Sequence, residues 1–273
     1  MRANKILFPT DFSDKTYNAL EYAINLAYKM SGEIIIFHSS HYPRYSSTIS
    51  LESIERTYKE SLKKEEHKLE EVVKYVQNRN SDIPCRCINL QGMATDNIRK
   101  LIKDEHIDLI VMATGGDGFM PGSITADLIE IAECPVFAIP SSTEFHNFER
   151  IIFASDLKDS DVPALCELSD LARAYDAYIT VLNIAEEDGS DHYQKFLTIK
   201  EKVVKCLGYD RLEYEHTENK NVVRGLSEYT TGHRTDALVM ATHKRKGLNR
   251  VFKPSMTKKM AEQTNVPLLA LHL

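Results

Sequence analysis

Apolar residues fall along this chain in two kinds of pattern. Short unbroken blocks such as Ile34-Ile35-Ile36-Phe37 and Leu109-Ile110-Val111-Met112 show no alternation, the signature of strands buried on both faces of a parallel sheet. Between them lie longer polar stretches in which apolar residues return every three or four positions, as on one face of a helix. The first half thereby predicts strands at about 4–10, 33–38, 84–90, 108–113 and 135–140, alternating with helices at about 14–30, 50–79, 93–105 and 123–132. The second half repeats the order, with strands at about 150–155, 177–184, 211–217, 236–241 and 267–272. Such alternation gives a parallel sheet covered by helices on both faces, because parallel neighbours need crossovers and the crossovers pack on the sheet.

The repeat is visible residue by residue. Ile6-Leu7-Phe8-Pro9-Thr10-Asp11 returns as Ile151-Ile152-Phe153-Ala154-Ser155-Asp156, Asp108 to Thr114 returns as Asp236 to Thr242, and Cys134-Pro135-Val136-Phe137 returns as Val266-Pro267-Leu268-Leu269. A period this long marks two folded domains rather than a solenoid. We place them at 1–142 and 149–273, with the polar stretch Ser141 to Phe148 as linker. The closing strands of both halves are apolar edges, and edges of that kind seek pairing. The expectation is an antiparallel contact between them that makes an internal pseudo-dimer. In the second predicted helix, Leu51, Ile54, Tyr58, Leu62, Leu69, Val73 and Val76 form an apolar stripe through a highly charged stretch, which reads as a surface helix with one face on the sheet.

Composition narrows the class without naming it. With 273 residues, 42% hydrophobic and 27% charged, and a net charge of -6, the chain reads as a globular protein with no general affinity for DNA. Neither a signal-peptide pattern nor a membrane-spanning run is present in the sequence, so the expected location is cytoplasmic with no membrane partner. The five cysteines, an odd number at unrelated spacings, fit reduced thiols, read here as small buried or half-buried apolar residues. His38 with His41, and Cys85 with Cys87, lack zinc-ligand spacing. No metal site is expected, and no catalytic triad can be placed.

In open α/β sheets ligands bind beyond the carboxyl ends of the strands, where the strand order switches. Pro9-Thr10-Asp11, His38-Ser39 and the segment Thr114-Gly115-Gly116-Asp117-Gly118-Phe119-Met120-Pro121-Gly122-Ser123 converge there. Glycines and a helix N-terminus suit a phosphate, although the same residues serve any tight strand-to-helix turn. Asp11 and Asp156 could equally cap the helices that follow them. On these motifs, and on the Val-Met-Ala-Thr and Cys-Pro-Val-Phe-Ala-Ile strands, the chain resembles a tandem universal stress protein over both halves. The resemblance implies two doubly wound five-stranded parallel-sheet domains of the adenine nucleotide alpha hydrolase-like type, and a non-enzymatic binding and regulatory role in stress, with weak ATP hydrolysis left open.

Carried over position by position, the resemblance assigns Pro9, Thr10, Asp11, Ser39, Met112, Ala113, Gly116, Gly122, Ser123 and Ile124 to an adenine nucleotide, ATP in the first instance, with Mg²⁺. The first half shortens the family's glycine spacer to Asp117 through Pro121 and has no Lys or Arg between Lys103 and Arg150. The second half puts Ala241, Lys244 and Pro254 where glycines belong, and carries Lys244, Arg245, Lys246, Arg250, Lys253, Lys258 and Lys259 without an acidic residue among them. Nucleotide binding is therefore expected in the first domain only. The alternative is an adaptor with both nucleotide sites degenerate, acting through protein partners or through an anion held at that basic loop.

Overall fold

A computed structural model of the protein describes residues 3–41, 51–114, 123–185, 191–242 and 256–272. The first copy runs β1 (Lys5–Pro9), α1 (Lys15–Met30), β2 (Glu33–Ser40), α2 (Leu51–Arg79), β3 (Cys85–Gln91), α3 (Ala94–Asp104), β4 (Leu109–Thr114), α4 (Ser123–Ile131) and β5 (Val136–Pro140). The second runs β6 (Arg150–Ser155), α5 (Asp161–Tyr175), β7 (Tyr178–Ala185), α6 (His192–Leu207), β8 (Leu212–Glu218), α7 (Val222–Gly232), β9 (Ala237–Thr242), α8 (Met256–Gln263) and β10 (Leu268–His272). All ten strands share one sheet in the order β3-β2-β1-β4-β5-β10-β9-β6-β7-β8. Every pairing is parallel except β5 with β10, which run antiparallel with Leu269 opposite Phe137. The expected contact between the closing strands is thus the centre of the sheet.

Alternation along each strand sorts its side chains between two cores. Ile6 and Phe8 of β1 join the cluster under α1, α2, α5 and α6, while Leu7 faces the cluster under α3, α4, α7 and α8. Both clusters run through the two copies. On one face α1 packs on α5, and on the other α4 packs on α8. Lys258 of α8 reaches Asp127 at 2.7 Å and Glu130 at 3.8 Å, both on α4, and His272 Nε2 donates to the Ile129 carbonyl at 2.8 Å.

Two repeated details explain why the same residues recur in each half. Asp108 Oδ2 accepts from the backbone N–H of Lys5 at 3.0 Å, and Asp236 Oδ2 accepts from Glu149 and Arg150 at 2.7 and 2.8 Å. These aspartates pin the start of the first strand of each copy, satisfying amides that a strand end otherwise leaves open. The first helix of each copy stops on a residue in left-handed backbone, Ser31 (φ 53°) and Asp176 (φ 56°), followed by a 2.8–2.9 Å bond back to Ala27 or Ala172. After Ser31 comes Gly32, where any Cβ would stand 2.1 Å from the Ala3 carbonyl oxygen. Backbone approaches too closely there for a side chain.

The linker differs from the polar tether read in the sequence. Phe148 is fully buried and touches Phe137, Tyr22, Phe145 and, at 4.7 Å between ring centroids, Tyr175 of α5. Asn18 Nδ2 donates to the Ser141 carbonyl at 2.9 Å and the Tyr22 hydroxyl to the Glu144 carbonyl at 3.0 Å. Two aromatic residues in a short polar run carry no periodicity, so their burial had no signal to announce it. The stripe on α2 also needs one correction: Val72 is buried and Val73 only half-buried.

Candidate functional site

The sheet order reverses on either side of β1 and β4, so the switch point of the first copy lies at the carboxyl ends of these two strands. Five of the residues singled out in the sequence stand there. Thr10 follows β1 and is buried, Asp11 beside it is exposed, and Met112 and Ala113 lie near the end of β4, before Thr114. Pro9 is half-buried at the end of β1. Met112 and Ile124 share the cluster under α3 and α4, whereas Ala113 packs on the opposite cluster. Thr125 Oγ1 donates to the Ala113 carbonyl at 3.2 Å, which fixes the start of α4 against β4. Ser39 is already engaged: its Oγ donates to the Gly92 carbonyl at 2.8 Å and accepts from Asn97 Nδ2 at 3.2 Å. Gly116 and Gly122 lie outside the described residues, as does the side chain of Ser123. So do Lys244, Arg245, Lys246, Arg250 and Lys253.

The turn leaving the first strand is built alike in both copies and clarifies the two aspartates. Thr10 Oγ1 accepts from the Phe12 N–H at 3.0 Å, and Ser155 Oγ accepts from the Leu157 N–H at 2.9 Å. Phe12 (φ 64°) and Leu157 (φ 56°) are held in left-handed backbone, a strained state for such side chains. Asp11 Oδ1 accepts from the Ser13 N–H at 3.0 Å, ahead of α1, so it forms a local turn rather than capping the helix. Asp156 does not cap its helix either. It is bound to the Lys158 ammonium, and that contact holds the lysine above its ordinary range. No ion pair of Asp11 occurs among the described residues. Among the described residues, one copy therefore presents a carboxylate held only by a backbone amide where the other presents an internal ion pair.

His38 stands at this edge as the sequence placed it, and the polar residues around it escaped the sequence reading. His38 Nδ1 lies 2.8 Å from the Thr10 carbonyl, and because a carbonyl only accepts, this nitrogen carries the proton. His38 Nε2 then faces Glu65 Oε2 at 4.0 Å. Glu65 also bonds Ser40 Oγ and Ser61 Oγ, and Ser40 Oγ lies 2.7 Å from Asn89 Oδ1. Glu65 thus occupies the inward face of α2. The sequence did hold a signal, since the apolar stripe skips from Leu62 to Leu69 and Glu65 fills the gap. Lys68, three positions on and nearly one turn along α2, lies 5.3 Å from the centre of the Phe12 ring, and the His38 ring lies 4.3 Å from it. A cation does reach this edge, from α2 and not from the segment after β4 where none was found.

The matching edge of the second copy is chemically different. Asn183 Nδ2 donates to the Ser155 carbonyl at 2.9 Å in the place of His38, and its Oδ1 accepts from His216 Nδ1 at 3.0 Å. Ser155 Oγ donates to the buried carboxylate of Asp161 at 2.5 Å. Of the basic residues counted after β9, Lys258 is spent on Asp127 and Glu130 across the domain contact. Among the described residues, no three His, Cys, Asp or Glu side chains form a group able to hold a metal ion, and no helix is long and apolar enough to cross a membrane. The cysteines do not all behave as apolar filler: Cys134 is buried and Cys85 and Cys166 are half-buried, but Cys87 and Cys206 are exposed.

Comparison with known proteins agrees with this geometry. The model of the universal stress protein family matches residues 3–140 and, a second time, residues 147–272. A universal stress protein of Methanocaldococcus jannaschii is 28% identical over 140 residues, spanning 50% of this chain and 81% of that protein. Among solved structures, a universal stress protein from Archaeoglobus fulgidus superposes with a TM-score of 0.79 at 17% identity, over 100% of this chain and 99% of that one. A Pseudomonas aeruginosa protein superposes with a TM-score of 0.66 at 14% identity, over 99% and 93%. At such identities the structural likeness speaks for the fold alone.

Proposed function

The chain belongs to the universal stress protein family as two tandem domains, and from that premise we propose that it is a non-enzymatic binding and regulatory protein whose first domain alone takes an adenine nucleotide. The observation that carries this reading is the asymmetry at the two first-strand ends: Asp11 is exposed and without an ion pair among the described residues, while Asp156 is neutralised by Lys158. Thr10 and Asp11 would meet the ribose, the apolar surface of Pro9, Met112 and Ile124 would meet the base, and Gly116, Gly122 and Ser123 would receive the phosphates. Ala113 stands where side-chain bulk would obstruct that approach. Ser39 acts indirectly, by tying the end of β2 to α3. Asp11 would be the carboxylate at hand for a Mg²⁺ carried by the phosphates, an ion commonly held by one or two carboxylates together with substrate phosphates.

In the second copy, Pro254 has no N–H to offer a phosphate and Lys244 replaces a glycine. That copy serves the assembly instead, through β10 and through the ion pairs of Lys258. Calorimetric titration of Mg-ATP into the full chain tests the proposal. Asp11→Ala should weaken binding by roughly tenfold or more, the loss of one hydrogen bond to a charged group, and Asp156→Ala should leave it unchanged. Loss of binding in Asp156→Ala with none in Asp11→Ala would place the site in the wrong copy, and no heat with the parent chain would favour the adaptor reading.

A further inference from the structure

Two of the five cysteines stand on neighbouring helices. Cys166 stands in the middle of α5 and Cys206 in the last turn of α6, and these helices lie side by side on one face of the sheet. On α6, Phe196, Ile199 and Val203 are buried, and Cys206 is the next position along the same helical stripe. On α5, Val162 and Cys166 are one turn apart and both pack on the same core. The seam is fastened on either side of the thiols. Lys202 Nζ of α6 lies 2.6 Å from Asp159 Oδ1 just before α5, and the Arg173 guanidinium of α5 lies 5.8 Å from the centre of the Tyr209 ring just after α6. Between these ties the Cys166 and Cys206 thiols interact, and burial together with that contact pushes the Cys166 thiol up to about 11.

The repeat shows what this position is for. Matching Thr10 to Ser155, as the shared turn requires, places Glu21 of α1 at the position of Cys166. Glu21 Oε1 accepts from the Tyr75 hydroxyl at 2.5 Å and pairs with Arg79 at 3.0 Å, both on α2. In the first copy the seam between the first and second helices is therefore closed by a permanent ion pair. In the second copy the same seam carries two thiols, one of them exposed.

We propose that Cys166 and Cys206 are a peroxide-oxidisable pair that closes to an intramolecular disulfide between α5 and α6. The exposed Cys206 meets the oxidant first. As thiolate it attacks one oxygen of a hydroperoxide, the O–O bond breaks, and with hydrogen peroxide a sulfenic acid and one water result. Cys166 then attacks the Cys206 sulfur, giving up its proton as it does so. The S–S bond forms as the S–O bond breaks, and the departing hydroxide takes the proton and leaves as a second water. Two thiols are oxidised by two electrons and one peroxide is reduced.

The test treats the reduced full chain with equimolar hydrogen peroxide, then alkylates it in denaturant and maps peptides without reduction. Free thiols should fall from five to three, the intact mass should drop by two hydrogens, and one cross-linked peptide pair should contain Cys166 and Cys206, reversed by dithiothreitol. Cys206→Ser should keep all four of its thiols, whereas Cys166→Ser should yield a Cys206 sulfenic acid trapped by dimedone, with circular dichroism confirming that both variants fold. Five thiols remaining in the parent, a disulfide between chains, a bridge involving Cys85 or Cys87, or oxidation of Cys206 past the sulfenic stage without a bridge would each overturn the proposal.

Discussion

Replacing Phe148 with alanine removes the ring that joins the two copies from within the linker. The ring is fully buried and packs on Tyr22 and Phe137 of the first copy and on Tyr175 of the second, at centroid distances of 6.1, 5.9 and 4.7 Å. Burial of a phenylalanine side chain contributes about 3 kcal/mol, and ring pairing with Tyr175 and Phe137 adds about 1 kcal/mol. A loss of about 4 kcal/mol falls in the range for such truncations when the site cannot collapse. That is a large part of the ~5–15 kcal/mol by which a domain is stable. Urea unfolding followed by far-ultraviolet circular dichroism should show the midpoint lowered by at least roughly 1 M, given typical slopes. Phe145→Ala, at a half-buried ring in the same segment, should cost clearly less. A Phe148→Ala loss below about 1 kcal/mol, or one no larger than that of Phe145→Ala, would show that the linker does not stitch the copies together.

The repeated aspartates should differ in worth. Asp236→Ala removes two hydrogen bonds to a carboxylate where Asp108→Ala removes one, so urea unfolding should report losses of about 3 and about 1.5 kcal/mol, and equal losses would refute the staple reading. Stability should also fall at alkaline pH, because burial pushes Cys85 and Cys134 up to about 12 and raises Tyr22 and Tyr175 as well. The folded chain holds these protons more tightly, so their contribution is complete below the ordinary values of ~8.5–10. It is lost as pH rises towards 12, by up to about 1.4 kcal/mol per group and pH unit. Thermal unfolding midpoints that stay level from pH 8 to 11 would contradict this. Native-state alkylation at pH 8 should correspondingly label Cys206 well before Cys134.

Strand positions were legible because apolar blocks and βα alternation report burial directly, and the repeat doubled the signal. The end of β1 differs by one residue from the expectation, and the antiparallel β5–β10 contact followed from two apolar edges. What escaped notice depends on partners remote in sequence. Glu65 is one acid among many on a charged helix, and although the gap in the apolar stripe marks its inward face, its partners Ser40 and His38 lie on another element. Lys68 reaches Phe12 across 56 positions of chain, so a search for cations in the segment after β4 could not find it. Phe148 had only polar neighbours in sequence, and the Cys166–Cys206 contact joins two unrelated spacings. At the site, strand ends were readable while their commitments were not: the difference between Asp11 and the ion-paired Asp156 lies in Lys158 standing where the first copy has Ser13, and it becomes an ion pair only through the fold of the turn, which brings the ammonium onto the carboxylate.

The central claim is that one copy binds nucleotide and the other does not, and photoaffinity labelling with azido-ATP followed by peptide mapping tests it on the intact chain. Label should appear in peptides from β1 through α4, compete away with unmodified ATP, and diminish in Asp11→Ala. Competable label confined to peptides from β6 onwards, or unaffected by Asp11→Ala and removed by Asp156→Ala, would contradict the account.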